Sequence, residues 1–184
     1  MGALPPVAAW RHTGAREGFE VLFVRSTEDG YRCEGEVAAV EDGVAWAVRY
    51  GLVLDRSWAT RLAHVRSRSP GAEWELRLEG DGRGGWLVDG HPAPAVAGCL
   101  DVDLEASAFT NALPVHRLGL AIGEGADAPA AYVRVLEPRV ERLDQRYERL
   151  ADEGARSRYD YAAPVFDFRD VLVYDEGGLY VLPA

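Results

Sequence analysis

Apolar and polar residues alternate over long stretches of this chain, and the alternation predicts strands. From Glu17 the chain reads Glu17-Gly18-Phe19-Glu20-Val21-Leu22-Phe23-Val24-Arg25, rich in aromatic and β-branched residues. A turn at Glu28-Asp29-Gly30 follows, and Tyr31 to Val37 resumes extended character, so the two runs form a hairpin. In the strand from Val44 to Leu54, Trp46, Val48 and Tyr50 share one face at period two. Trp74, Leu76 and Leu78 do the same before the glycines at 80, 82, 84 and 85, after which Trp86-Leu87-Val88 returns. A third hairpin joins Asp170–Tyr174 to Leu179–Leu182 through Asp175-Glu176-Gly177-Gly178. Three hairpins of one style predict a meandering antiparallel architecture.

Three segments depart from this pattern. His91 to Ala97 contains Pro92 and Pro94, which lack backbone donors and cannot occupy a central strand. Val140, Leu143, Tyr147 and Leu150 fall at helical spacing behind Pro138, although Leu143, Gln145 and Tyr147 also share a face at period two. The third segment runs from Gly98 to Ile122. In an extended chain Leu100, Val102 and Leu104 face one side, while Cys99, Asp101 and Asp103 face the other. The two carboxylates then lie about 7 Å apart at the backbone, at ~3.3 Å rise per residue. An irregular stretch from Glu105 to Pro114 leads into a second expected strand, from Val115 to Ile122, on which Arg117 is placed to pair with Asp101 or Asp103.

Composition narrows the classes. The 184 residues suit one domain, and 48% hydrophobic content is enough for a packed core. A formal charge of -10 disfavours nucleic acid and anionic membrane surfaces as partners. All 20 basic residues are arginines, for which genomic base composition is the simplest cause. The two cysteines, Cys33 and Cys99, form no metal-ligand or redox spacing, so neither a metal nor a cofactor is expected. No apolar run reaches the ~20 residues of a membrane span, and MGALPPVAAWRHTG does not read as a secretory signal. The expectation is a single soluble, cytoplasmic domain over residues 1–184, of unread oligomeric state.

Gly98-Cys99, Asp101, Asp103-Leu104, Phe109-Thr110-Asn111, Leu113-Pro114 and Arg117-Leu118 resemble the signature of a bacterial family, the putative glycolipid-binding family. The resemblance extends to Trp10-Arg11, Tyr50, Asp55, Trp58, Thr60-Arg61, Gly85-Trp86, Asp89-Gly90, Gln145-Arg146-Tyr147, Tyr159, Tyr161 and Gly178. Ala112 and His116 depart from it, standing where threonine and arginine are usual. The resemblance implies an all-β spiral β-roll: an incompletely closed antiparallel barrel of two similar halves with little helix, similar to bacterial lipoprotein carriers. It also implies that 140–150 is mainly extended, against the helical spacing.

The function so implied is non-catalytic binding of a glycolipid or other amphipathic lipid in a cavity of the curved sheet. Trp58, Tyr147, Tyr159 and Tyr161 suit stacking on sugars, and Arg61, Asn111 and Arg117 suit hydroxyls or phosphate. Asp101, Asp103 and Gln145 complete the candidate set. Each has an ordinary alternative: aromatic residues as core, the two aspartates as loop anchors or arginine partners, and His116 as a satisfied histidine. Two other functions fit the sequence. One is a glycoside or ester hydrolase using Asp101 and Asp103, although no Gly-x-Ser-x-Gly elbow is present. The other is an acidic protein-interaction module.

Overall fold

The computed structural model describes residues 4–181. Its first half is an eight-stranded antiparallel meander in chain order: β1 (Val7–Thr13), β2 (Glu17–Thr27), β3 (Gly30–Glu41), β4 (Val44–Asp55), β5 (Thr60–Ser69), β6 (Ala72–Gly80), β7 (Trp86–Val88) and β8 (His91–Pro92). Local chemistry sets the turns. Asp42-Gly43 and Asp89-Gly90 each place two successive residues at positive φ, the geometry that a two-residue hairpin requires. His91-Pro92 pairs only as the terminal strand, where a missing N–H costs nothing.

The second half uses shorter pieces. β9 (Asp101–Leu104), β11 (Ala130–Val133) and β12 (Val140–Leu143) form a three-stranded sheet in which β9 and β11 run parallel. β10 (Gly125–Asp127), β13 (Arg146–Glu153), β14 (Arg156–Ala163) and β15 (Phe168–Tyr174) form an antiparallel sheet of four. The sheets do not close into a barrel, so the molecule is an all-β, incompletely closed roll.

The 140–150 segment is extended, as the resemblance implied. Its helical spacing arises because Val140 and Leu143 lie on β12 while Tyr147 and Leu150 lie on β13, in a different sheet. The strand expected from Val115 to Ile122 is absent. Ala112–Leu118 instead form a two-turn helix, α1, entered through a 3-10 turn at Phe109–Asn111. Ser107 Oγ accepts the Phe109 N–H and starts that turn, Pro114 sits in the first helical turn where no donor is needed, and Gly119 closes the helix at φ 55°. The last hairpin reduces to one bridge, Tyr174 to Tyr180, and Leu182 lies outside the described residues.

The inner face of the meander carries Leu22, Val37, Val48, Tyr50, Leu52, Val65 and Leu78, all buried. Against it pack Val102, Leu104, Phe109 and Leu113, so side chains fill this interior. Polar bonds join the halves. Thr60 N–H donates to Leu100 O at 2.9 Å, Trp86 Nε1 to Cys99 O at 2.8 Å, and Trp10 Nε1 to Tyr180 O at 2.6 Å.

Candidate functional site

The alternation expected of β9 holds, but both of its faces are covered. Val102 and Leu104 enter the core, and Asp101 and Asp103 are also buried, with 1% and 9% exposure. Arg117 reaches Asp101 as the sequence suggested, though from a helix rather than a strand. Its Nε lies 2.9 Å from Oδ1 and its Nη2 2.6 Å from Oδ2, a bidentate pair. Burial nevertheless outweighs the guanidinium and raises the Asp101 carboxyl. Among the described residues Asp103 has no cation beside it and accepts only the Thr110 hydroxyl, at 3.0 Å. Burial, with smaller contributions from the charges of Asp101 and Glu105, pushes its carboxyl up to about 6.

The candidate tyrosines gather beyond these acids. Tyr147 meets Tyr159 and Tyr161 edge-on, and Tyr159 meets Tyr174 in the same way. Tyr161 donates to Gln145 Oε1 at 2.9 Å, and Tyr174 donates to the main-chain oxygen of Asn111 at 3.1 Å. Asn111 thus contributes its carbonyl to this seam. Trp58 sits in the β4–β5 loop at φ 71°, held there by Asp55 Oδ1, which accepts the Ser57 and Ala59 N–H groups. Its indole stacks on His116 at 3.8 Å, with an interplanar angle of 6°. Arg61 stands apart, donating to Gly80 O and lying 3.6 Å from Asp55. The structure therefore brings together eight of the ten candidates along the α1–β9–β13–β14 seam, joins Trp58 to it through His116, and leaves Arg61 outside.

Sequence reasoning passed over a third buried acid. Glu20 lies on the inner face of β2 and accepts the Tyr50 hydroxyl at 2.7 Å, the Ser107 hydroxyl at 2.5 Å and the Ala108 N–H at 2.6 Å. His12 Nε2 stands 3.6 Å away. The signal was an acid at an inward-facing position of an apolar strand, which requires buried donors.

The outer face of the same strands was also missed. Phe19, Ala38, Ala47 and Arg68 form one row across β2–β5, and Val21, Glu36, Arg49 and Arg66 form the next. Phe23, Glu34, Gly51 and His64 form a third. Two adjoining hollows, of about 450 and 600 Å³, open along these rows and share Glu36, Arg49 and Arg66. Phe19 and Phe23 remain 66% and 55% exposed on a face that an antiparallel sheet normally makes polar. Arg49 pairs with Glu36 and Arg66 with Glu75, whereas Arg68 has no ion-pair partner among the described residues.

A third hollow, of about 480 Å³, lies between the end of α1 and the β13–β14 hairpin. His116 and Tyr159 both line it. Asp101 and Asp103 line none of the three hollows. Among the described residues no cluster of His, Cys, Asp or Glu is arranged to hold a metal ion, and no helix is long and apolar enough to cross a membrane.

Comparison with known proteins places this architecture. No curated protein matches the chain. A solved structure of a DUF1089-family protein from Pseudomonas aeruginosa is similar, with a TM-score of 0.78 and 32% identity over 95% of this chain and 92% of that one. The family described as putative glycolipid-binding matches residues 7–182, and the chain belongs to that family.

Proposed function

We propose that this protein is a non-catalytic binder of an amphipathic lipid of the glycolipid type, held in the hollows on the outer face of β2–β5. The observation that carries this reading is the mixed character of that face. Phe19, Val21, Phe23, Ala38 and Ala47 offer an apolar bed in the middle of a solvent-facing sheet. Large exposed aromatic rings clustered on one sheet face are a feature of binding surfaces. Gly51, with no atom within 4 Å of its Cβ position, keeps the bed open. The Arg49, Arg66 and Arg68 side chains flank it and suit a polar or anionic head. The family membership supports the same chemistry.

In this reading the seam residues Asp101, Asp103, Asn111, Arg117, Gln145, Tyr147 and Tyr161 form the frame that joins the two halves into one unit. Trp58 and Arg61 fix the β4–β5 loop of that frame. The acids serve no hydrolysis, because both are buried and engaged by α1 and its entry turn.

An n-alkyl glucoside series below the micelle concentration tests the proposal by calorimetry. Each added methylene should tighten binding about fourfold, the equivalent of ~0.8 kcal/mol per buried CH₂. Phe23→Asp should remove that dependence while leaving the fold intact, since the side chain is already exposed. Affinity that does not change with chain length sinks the reading.

A further inference from the structure

Of the three rows that cross the outer face of β2–β5, only one is free of ion pairs among the described residues. In the Val21 row Arg49 is held by Glu36 and Arg66 by Glu75, each at 2.5 Å, and in the Phe23 row His64 also meets Glu75. The remaining row runs Phe19, Ala38, Ala47, Arg68. Its Arg68 is exposed and makes neither an ion pair nor a hydrogen bond among the described residues. Glu73 stands opposite it on β6 and lines the same hollow, yet forms no ion pair with it. An exposed pair of that kind is worth little, so Glu73 does not hold the guanidinium against a ligand.

The row has the layout of an amphiphile. All four of its residues line the hollow of about 600 Å³. Ala38 and Ala47 are short, so they floor a trough between the exposed Phe19 ring and the Arg68 guanidinium. Three strand spacings of ~4.8 Å separate its ends, about 14 Å at the backbone. Charge narrows the class of head. The chain carries a formal charge of -10, which repels anions from most of its surface, whereas across these three rows three arginines stand against two glutamates. An oxyanion accepts two parallel charge-assisted bonds from one guanidinium, while a neutral sugar hydroxyl accepts one and brings no opposite charge.

We infer that the lipid taken on this face is an acidic one: its oxyanion, a phosphate or a carboxylate, binds Arg68, and its chain lies across the strands over Ala47 and Ala38 toward Phe19. The inference rests on the outer face being the lipid site and sharpens the head from polar to anionic. Arg11 provides a control. It stands opposite Phe19 on β1, is exposed and has no ion-pair partner among the described residues, but it does not line the hollow.

Calorimetry on the full chain compares octyl phosphate, nonanoate and octyl glucoside below their micelle concentrations and at one ionic strength. The better of the two anions should bind about tenfold more tightly than octyl glucoside, the worth of a charge-assisted bond, and its identity names the oxyanion. Arg68→Met should remove that preference and leave octyl glucoside unchanged, while Arg11→Met should keep it. Both side chains are exposed and unpaired, so both variants should keep the wild-type Tm. Ala47→Leu fills the trough and should weaken all three compounds alike. If the glucosides gain with chain length yet octyl glucoside matches both anions, the acidic head is overturned and the outer-face reading stands. If none of the three binds, both fall. A preference that Arg11→Met lowers as far as Arg68→Met is diffuse attraction and overturns the assignment to Arg68. Wild-type binding by Ala47→Leu overturns the path of the chain.

Discussion

Replacing Asp103 by asparagine should stabilise the protein at neutral pH relative to its stability in acid, compared with wild type. Burial raises the Asp103 carboxyl from 3.8 to about 6, because the Thr110 hydroxyl is its one compensating donor and the Asp101 and Glu105 charges oppose ionisation. A folded-state value above the unfolded one adds stability that is fully present below about pH 3.8 and is lost as pH rises through about 6. At ~1.36 kcal/mol per pH unit the difference amounts to about 3 kcal/mol, an upper bound where the neighbouring acids titrate together. Asparagine keeps an oxygen for Thr110 but carries no charge. Because the unfolded carboxyl is already partly ionised at pH 4, the stability of Asp103→Asn minus that of wild type should be about 2 kcal/mol more positive at pH 7.5 than at pH 4. The absolute wild-type curve is a poor measure, because His116 acts in the opposite sense. Its value, lowered to about 4, removes stability as pH falls from 6.5. Subtraction cancels that contribution. Urea unfolding of both proteins at pH 4, 5, 6 and 7.5 provides the comparison. A difference that stays constant within about 0.5 kcal/mol across the series would refute a desolvated Asp103.

Two further substitutions test the frame. Arg117→Met leaves the Asp101 carboxylate buried without its partner and should cost about 3–5 kcal/mol in urea unfolding, whereas an exposed pair would cost under about 1 kcal/mol. The glycines facing opposite sides of the meander should behave differently. Gly35→Ala places a Cβ 2.1 Å from the Tyr50 ring and should lower stability by about 1–3 kcal/mol or more. Gly51→Ala meets nothing within 4 Å and should fold with an unchanged Tm, while reducing alkyl glucoside affinity by filling the outer bed.

Strand character was legible wherever a segment could be read by itself. Trp46, Val48 and Tyr50 are buried together as period two required, and the Asp-Gly turns specify their own geometry. The α1 helix was not legible, because seven residues are too few to establish a period of 3.6 and its apolar positions also fit alternation. Arg117 still met Asp101, since the pairing depends on a desolvated carboxylate needing a cation rather than on the element that delivers it. The apolar outer bed was written in β2, where Phe19, Val21 and Phe23 alternate with Leu22 and Val24, making both faces apolar. The ligands of Glu20 lie at Tyr50 and Ser107, far along the chain, and no local pattern could join them.

These placements separate two roles that the sequence signature had merged. The residues carrying the family resemblance lie mostly at the seam, paired with one another: Asp101 with Arg117, Asp103 with Thr110, Gln145 with Tyr161, and Asp55 with its own loop. A group already bonded on a buried seam has little left to offer a ligand. The groups with unspent capacity among the described residues lie on the outer face of the meander: the Arg68 guanidinium and the exposed rings of Phe19 and Phe23. The Trp58–His116 stack and the tyrosine edge contacts pack the β4–β5 loop and the β13–β14 hairpin onto that seam. The energetic cost of burying Asp103 then has a structural return. It fixes Thr110 and the entry of α1, and with them the placement of His116 against Trp58.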